Sequence, residues 1–205
     1  FAGGESTAAT ARSVDFDGDD ELYTSTSSDY DIGTGDFTME YWVKTEGASN
    51  AVEMHIDGRV SGNASIPFTT YTNSRVLKLH QNGSDVITGP TLNSHTWYHI
   101  ALSRSSGVTT LYVNGTNEGS FSDSADYNNE RYSIGTYYSG GTYRLTGSIS
   151  NVRLVKGTAV YTSSFRPPTE PLANITNTKL LCCNDSSVTG ATVKAGTMTT
   201  SGDPT

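Results

Sequence analysis

The chain has 205 residues and a formal net charge of -8, from 13 basic and 21 acidic side chains; 34% of it is hydrophobic and 17% charged. That length suits one large all-β domain with a packed core, and an acidic chain with no basic stripe argues against nucleic acid as a partner. No apolar run is long enough to cross a bilayer, which argues against membrane insertion, and the abundance of Ser, Thr, Asn and Gly is that of strands and turns rather than helices.

Residues 1–12 have no periodicity and read as an arm or linker. A first strand is predicted at Ser13 to Asp17, with Val14 and Phe16 inward. Around it lies the densest acidic cluster, Asp15, Asp17, Asp19, Asp20 and Glu21. Asp17, Asp19 and Asp20 are candidate calcium ligands, although they could supply only part of the roughly six to eight oxygens calcium takes. A solvated strand edge is the plainer reading. From Phe37 to Lys44, alternation puts Phe37, Met39, Tyr41 and Val43 on one face and Thr38, Glu40 and Trp42 on the other.

Asp57-Gly58, Asn82-Gly83 and Asn114-Gly115 each follow alternating residues and predict tight hairpins, because these dipeptides supply the positive φ angles of a type I′ turn. Trp97 to Arg104, a Ser106-Gly107 turn and Leu111 to Val113 form the clearest pair of strands. Later strands are expected at Tyr132 to Gly135 and Ser148 to Val155, with Pro167-Pro168 ending that run, and another at Lys179 to Cys183. The pattern predicts an antiparallel sandwich spanning residues 13–184, with Phe37, Met39, Tyr41, Ile100, Leu102, Leu111, Val113, Ile149 and Val152 inside. Residues 185–205 lack a clear core pattern and read as a C-terminal extension, suggesting that the polypeptide continues into another module.

The chemistry-bearing residues point away from catalysis. A retaining glycosidase needs two carboxylates about 5 to 5.5 Å apart. No Glu here has Asp two residues later, and Glu40 has no acidic neighbour on its strand. His55, His80, His95 and His99 each belong to a different strand region and read as structural. The only cysteines, Cys182-Cys183, read as small buried hydrophobes. The better candidate is a contact surface: Tyr137, Tyr138 and Tyr143 crowd one loop around Gly140-Gly141, and Tyr127, Asn128 and Asn129 precede it. Such rings serve sugar faces and protein partners alike.

Asp36 to Lys44, the segment Trp97-Tyr98-His99-Ile100-Ala101-Leu102 with Leu111-Tyr112-Val113-Asn114-Gly115, and Gly147 to Leu154 together resemble laminin G-like and pentraxin-like domains of the concanavalin A-like jelly rolls. The resemblance implies a two-sheet jelly-roll sandwich. It also places the calcium loop of pentraxin-like domains at Thr136-Tyr137-Tyr138-Ser139, which contains no carboxylate. Val152 to Tyr161, Phe165 to Leu172 and Thr176 to Cys183 are similar to concanavalin A-like domains in virion structural proteins of marine tailed phages. That similarity implies a non-enzymatic virion surface module, a capsid decoration or fibre component. It would contact other virion proteins or copies of itself, with weak attachment to a cell-surface glycan as a further role, and would require no cofactor, calcium being an optional ion. The alternatives are a secreted or cell-surface carbohydrate-binding lectin and a glycan hydrolase of the same fold.

Overall fold

Alternating side chains become strands throughout the computed structural model, which describes residues 11–46, 51–59, 68–128, 130–138 and 143–205. In chain order the strands are Val14–Asp17 (β1), Glu21–Thr24 (β2), Phe37–Thr45 (β3), Val52–Asp57 (β4), Phe68–Asn73 (β5), Val76–Gln81 (β6), Ser84–Thr91 (β7), Trp97–Ser105 (β8), Val108–Val113 (β9), Thr116–Ser122 (β10), Ser133–Ile134 (β11), Thr146–Lys156 (β12), Thr178–Cys182 (β13), Ala191–Val193 (β14) and Met198–Ser201 (β15). A single 3-10 turn, Ser28–Tyr30, is the only helical element among the described residues.

The strands form two antiparallel sheets of a jelly-roll sandwich. The first runs β10-β9-β8-β3-β12-β13-β14, with β1 also paired to β12; the second runs β15-β2-β11-β4-β5-β6-β7. All nine residues expected in the core are buried there. Phe37 stacks on Phe68 across the sandwich at 5.4 Å between ring centroids. At one end Arg104 is fully buried. It donates to the carbonyls of Gly33, Gly35 and Ala125 at 2.6, 2.7 and 2.8 Å, so burying its charge leaves few donors without a partner.

Two of the three predicted hairpins form as expected. Asn82-Gly83 joins β6 to β7, and Asn114-Gly115 joins β9 to β10, all with positive φ. Asp57-Gly58 does not close a tight turn, because β4 ends at Asp57 and its partner β5 begins only at Phe68. A turn the sequence did not announce, Ser74-Arg75 with φ of 52° and 65°, joins β5 to β6 without a glycine.

The segment expected to be a C-terminal extension belongs to the sandwich. β14 pairs with β13 at the edge of the first sheet, and β15 pairs with β2 at the edge of the second. Met198 is buried in the core, and the Thr205 backbone exchanges hydrogen bonds with Asp15 at 2.7 and 3.2 Å. Sparse apolar residues sufficed because edge strands gain pairing as well as burial. The two cysteines are buried and free. Neighbouring residues of a strand point to opposite faces, but Cys183 lies just past β13 with φ 57°, and its sulfur is 3.9 Å from that of Cys182.

The outer face of the first sheet is largely covered too. Residues 157–177 follow β12 as a strap without strands. The stacked rings of Tyr161 and Phe165, 3.6 Å apart, sit against His99 and Tyr112. The Phe165 amide donates to the Gly115 carbonyl at 2.9 Å. A Cβ on Gly115 would lie 1.9 Å from the Phe165 oxygen, so the close approach of strap to turn requires glycine there. Beneath the strap, Glu40 is completely buried. It accepts from Arg153 Nε at 2.9 Å and Tyr161 Oη at 2.8 Å, and lies 3.1 Å from His99 Nε2. Burial alone would push its carboxyl up, but the His99 hydrogen bond and the Arg153 charge outweigh that and hold it below its ordinary value.

His55 faces the interior from β4, with its Nδ1 3.2 Å from the Tyr41 hydroxyl. Burial pushes its pKa from 6.5 down to about 3. Above pH 6.5 the ring is neutral both folded and unfolded, so no penalty arises. As pH falls, the unfolded chain takes up a proton that native His55 refuses. Stability is therefore lost from about pH 6.5 down to about 3, by at most about 1.4 kcal/mol per pH unit from this group. Urea midpoints measured at several pH values across that window should fall with pH, and the His55→Gln variant should show a shallower slope. Equal slopes would mean that His55 is hydrated and free to charge.

Candidate functional site

Alternation along β5 sends Phe68, Thr70 and Thr72 inward and leaves Thr69, Tyr71 and Asn73 on the outer face of the second sheet. The β5–β6 register sets Tyr71 beside Lys78 and Thr69 beside His80. Asp85, on the neighbouring β7, fixes this row. It accepts from Tyr71 Oη at 2.8 Å, lies 3.0 Å from His80 Nδ1, and pairs with Lys78 Nζ at 3.7 Å. Burial tends to raise the Asp85 carboxyl, but the His80 and Tyr71 hydrogen bonds hold it below its ordinary range. Partial burial, and then Asp85, push the Tyr71 hydroxyl up to about 12. Tyr71 is therefore a neutral ring at any ordinary pH.

The opposite wall comes from the tyrosine loop. Tyr137 and Tyr143 meet edge to face at 5.9 Å, and the Tyr143 carbonyl accepts from the Met54 amide at 2.9 Å, which ties the loop to β4. The Arg59 guanidinium lies 3.9 Å over the Tyr137 ring. Its Nε donates to Asp57 at 2.8 Å, and Asp57 also accepts from Thr69 Oγ1 and the Tyr138 amide at 3.0 and 2.9 Å. Between these walls is a groove of about 250 Å³ lined by Val52, Met54, Thr69, Tyr71, Asn73 and His80 below and by Arg59, Tyr137 and Tyr143. It is smaller than the roughly 300 to 1,000 Å³ of pockets for drug-sized ligands. A ring or two of a larger ligand would fill it. None of its described lining residues is a carboxylate.

The residues singled out from the sequence separate. Tyr137 and Tyr143 line the groove together. Tyr138 turns away, toward the Arg131 guanidinium 5.3 Å from its ring. Tyr127 is not a rim residue: it is buried edge-on against Phe37 and Phe68, its hydroxyl donating to Asp123 at 2.9 Å. Asn128 is exposed but does not line the groove. Asn129 lies outside the described residues. The reading missed Arg59, Tyr71 and His80, which reach the groove only through strand register. His80, read as purely structural, is part of its floor.

The acidic cluster also regroups. Asp20 is buried and accepts from the Asp17 and Asp203 amides at 3.0 and 2.8 Å, so it holds backbone rather than facing a metal. Glu21 is likewise buried, with Arg144 Nη2 at 2.7 Å. The exposed carboxylates of Asp17, Asp19 and Asp203 instead converge, with oxygens within 4.8 Å of one another. The hydrogen bond with Asp17, and then its charge, push the Asp19 carboxyl up.

A family model described as concanavalin A-like lectin/glucanases superfamily matches residues 16–159, well over half of the chain. The chain belongs to that superfamily. No curated protein has a matching sequence. Among solved structures, a Bacteroides ovatus protein provisionally assigned to carbohydrate binding superposes with a TM-score of 0.69 at 18% identity, over 95% of this chain and 59% of its own. A heptameric SAP-like pentraxin of Limulus polyphemus gives 0.58 at 16% identity, over 77% of this chain and 81% of its own. Domain 4 of the Geobacillus stearothermophilus arabinanase AbnA, solved with arabinotriose, gives 0.56 at 17% identity, over 72% of each chain. At such identities the likeness is one of superfamily fold. The chain spans 59% of the length of the Bacteroides protein.

Beside the tyrosine loop the Asp57 carboxylate is paired with Arg59 Nε at 2.8 Å.

Proposed function

We propose that the chain is a non-catalytic carbohydrate-binding module that seats one or two sugar residues against Tyr71, Tyr137 and Tyr143. The groove carries this reading. It pairs aromatic faces with the hydrogen-bonding groups of Arg59, Asn73 and His80, the combination that a pyranose, apolar on its faces and hydroxylated at its edge, requires. A hydrolase of this fold would need paired carboxylates at the sugar. The groove's described lining has none, and Glu40 is sealed under the strap with its oxygens engaged. No cofactor is part of the proposal. The similarity of the last third of the chain to phage virion domains supports placing the module on a virion surface, beside other virion proteins or copies of itself.

A subunit interface over the same tyrosines is less well supported. Tyr138 faces elsewhere, and the remaining rings line a concave groove rather than a broad flat patch. The test is a glycan array probed with the chain and with the Tyr71→Ala, Tyr143→Ala double variant. Both side chains are at the surface, so thermal stability should change little. Binding to at least one glycan family should weaken about tenfold or more, as expected for lost ring contacts. Unchanged binding would remove the groove from consideration. Normal glycan binding with lost incorporation into particles would assign it to subunit contact.

A further inference from the structure

Both of the chain's tryptophans lie at one place on the opposite side of the sandwich. We infer that the groove they line is a second, independent subsite for a neutral sugar ring; this inference rests on the carbohydrate-binding reading above. The strap covers Glu40, His99 and Arg153, and its own residues 168–171 border a groove of about 570 Å³ at which Trp42 on β3 and Trp97 on β8 lie. Pro168 and Pro171 form one wall, and residues 11–13 the other. The second wall is held by a hydrogen bond from the Ser150 hydroxyl to the Arg12 carbonyl. The prolines fix φ, so the wall they form is already shaped without ligand.

Trp42 packs on His99 at 5.2 Å between centroids, and Lys44 Nζ lies 5.6 Å from the centroid of Trp97. Yet Trp97 is 38% exposed, an unusual state for so large an apolar ring unless something covers it. The charges at the groove are one of each sign, Arg12 and Glu170. An anionic polymer would gain nothing from that pair and would be repelled by the net charge of -8. A neutral ring fits, with its apolar face on an indole and its hydroxyls toward the Arg12 and Glu170 side chains. Because the two grooves lie on the outer faces of different sheets, one chain would engage two sugars, which multiplies weak affinities.

The presence of only two tryptophans makes the test site-specific. In the isotope-labelled full chain, the indole N–H signals report this groove and not the tyrosine groove. The chain is titrated with cellotetraose, laminaritetraose, mannotetraose and galactotetraose into the millimolar range. At least one should move both indole signals, and should still do so in the Tyr71→Ala, Tyr143→Ala variant. Its affinity should fall about tenfold in Trp97→Ala and be largely kept in Trp97→Phe. The inference is overturned if no tetrasaccharide moves either indole, or if the shifts vanish with the tyrosine substitutions. It is overturned equally if a decaproline peptide moves the indoles and the sugars do not. Glycan-array binding that depends on Tyr71 and Tyr143 while the indoles stay still would sink this inference and leave the first groove standing.

Discussion

Replacing Glu40 by alanine should destabilise the domain by about 3 to 5 kcal/mol, the usual cost of breaking a buried ion pair from one side. Glu40 is fully buried, and its carboxylate serves Arg153, His99 and Tyr161 together. Without it the Arg153 guanidinium loses its carboxylate and keeps only neutral partners, among them the Ala173 carbonyl at 2.8 Å. A buried cation is left without its counter-charge, which costs more than the pair contributes when intact. The strap is the element expected to loosen, since Tyr161 and Arg153 tie it to the sheet. Equilibrium urea unfolding measures the loss. The double variant Glu40→Met, Arg153→Met should be less destabilised than the sum of the two single variants, because removing both charges removes the orphan. A loss below about 1 kcal/mol in Glu40→Ala would mean that water reaches the network and that the outer face of the sheet is not sealed.

Leu111→Ala should cost about 2 to 5 kcal/mol through lost burial and the cavity left behind. Leu111 is wholly buried on β9, paired with Leu102. Its Cδ2 lies within 3.5 Å of where a Cβ on Gly89 would be, and Leu77 borders the same space. The side chain therefore spans the sandwich between β9 and β7. Neighbours fixed in paired strands can collapse only partly into the gap, which favours the upper half of that range. For a chain of this size each kcal/mol lowers the melting temperature by roughly 2 to 4 °C, so a fall of several degrees is expected by calorimetry. An unchanged melting temperature would mean that the strand faces are reversed.

Inward faces were legible because period-two alternation is a local signal. Met39, Ile100 and Leu111 could be placed from their immediate neighbours. Turn chemistry was legible where asparagine and glycine supply positive φ, as at Asn114-Gly115. It misled at Asp57-Gly58, whose partner strand starts ten residues on, and it was silent at Ser74-Arg75, where ordinary side chains adopt the same angles. The burial of Glu40 and Arg153 was not legible, because the strap that covers them has no periodicity. Of the candidate site, Tyr137 and Tyr143 could be seen as a cluster in one loop. Tyr71 and His80 could not, because they meet the loop only through the register of β5 and β6. Asp20 looked like a metal ligand because it stood among acids, and the partner that buries it, the Asp203 amide, is distant in sequence.

The most direct test of the account is a crystal structure of the chain with the best ligand from the glycan array. The prediction is a sugar ring in the groove on the outer face of the second sheet, against Tyr71, Tyr137 or Tyr143, with hydroxyls within hydrogen-bond reach of Arg59, Asn73 or His80. A ligand bound away from this groove, with the three tyrosines untouched, would contradict it.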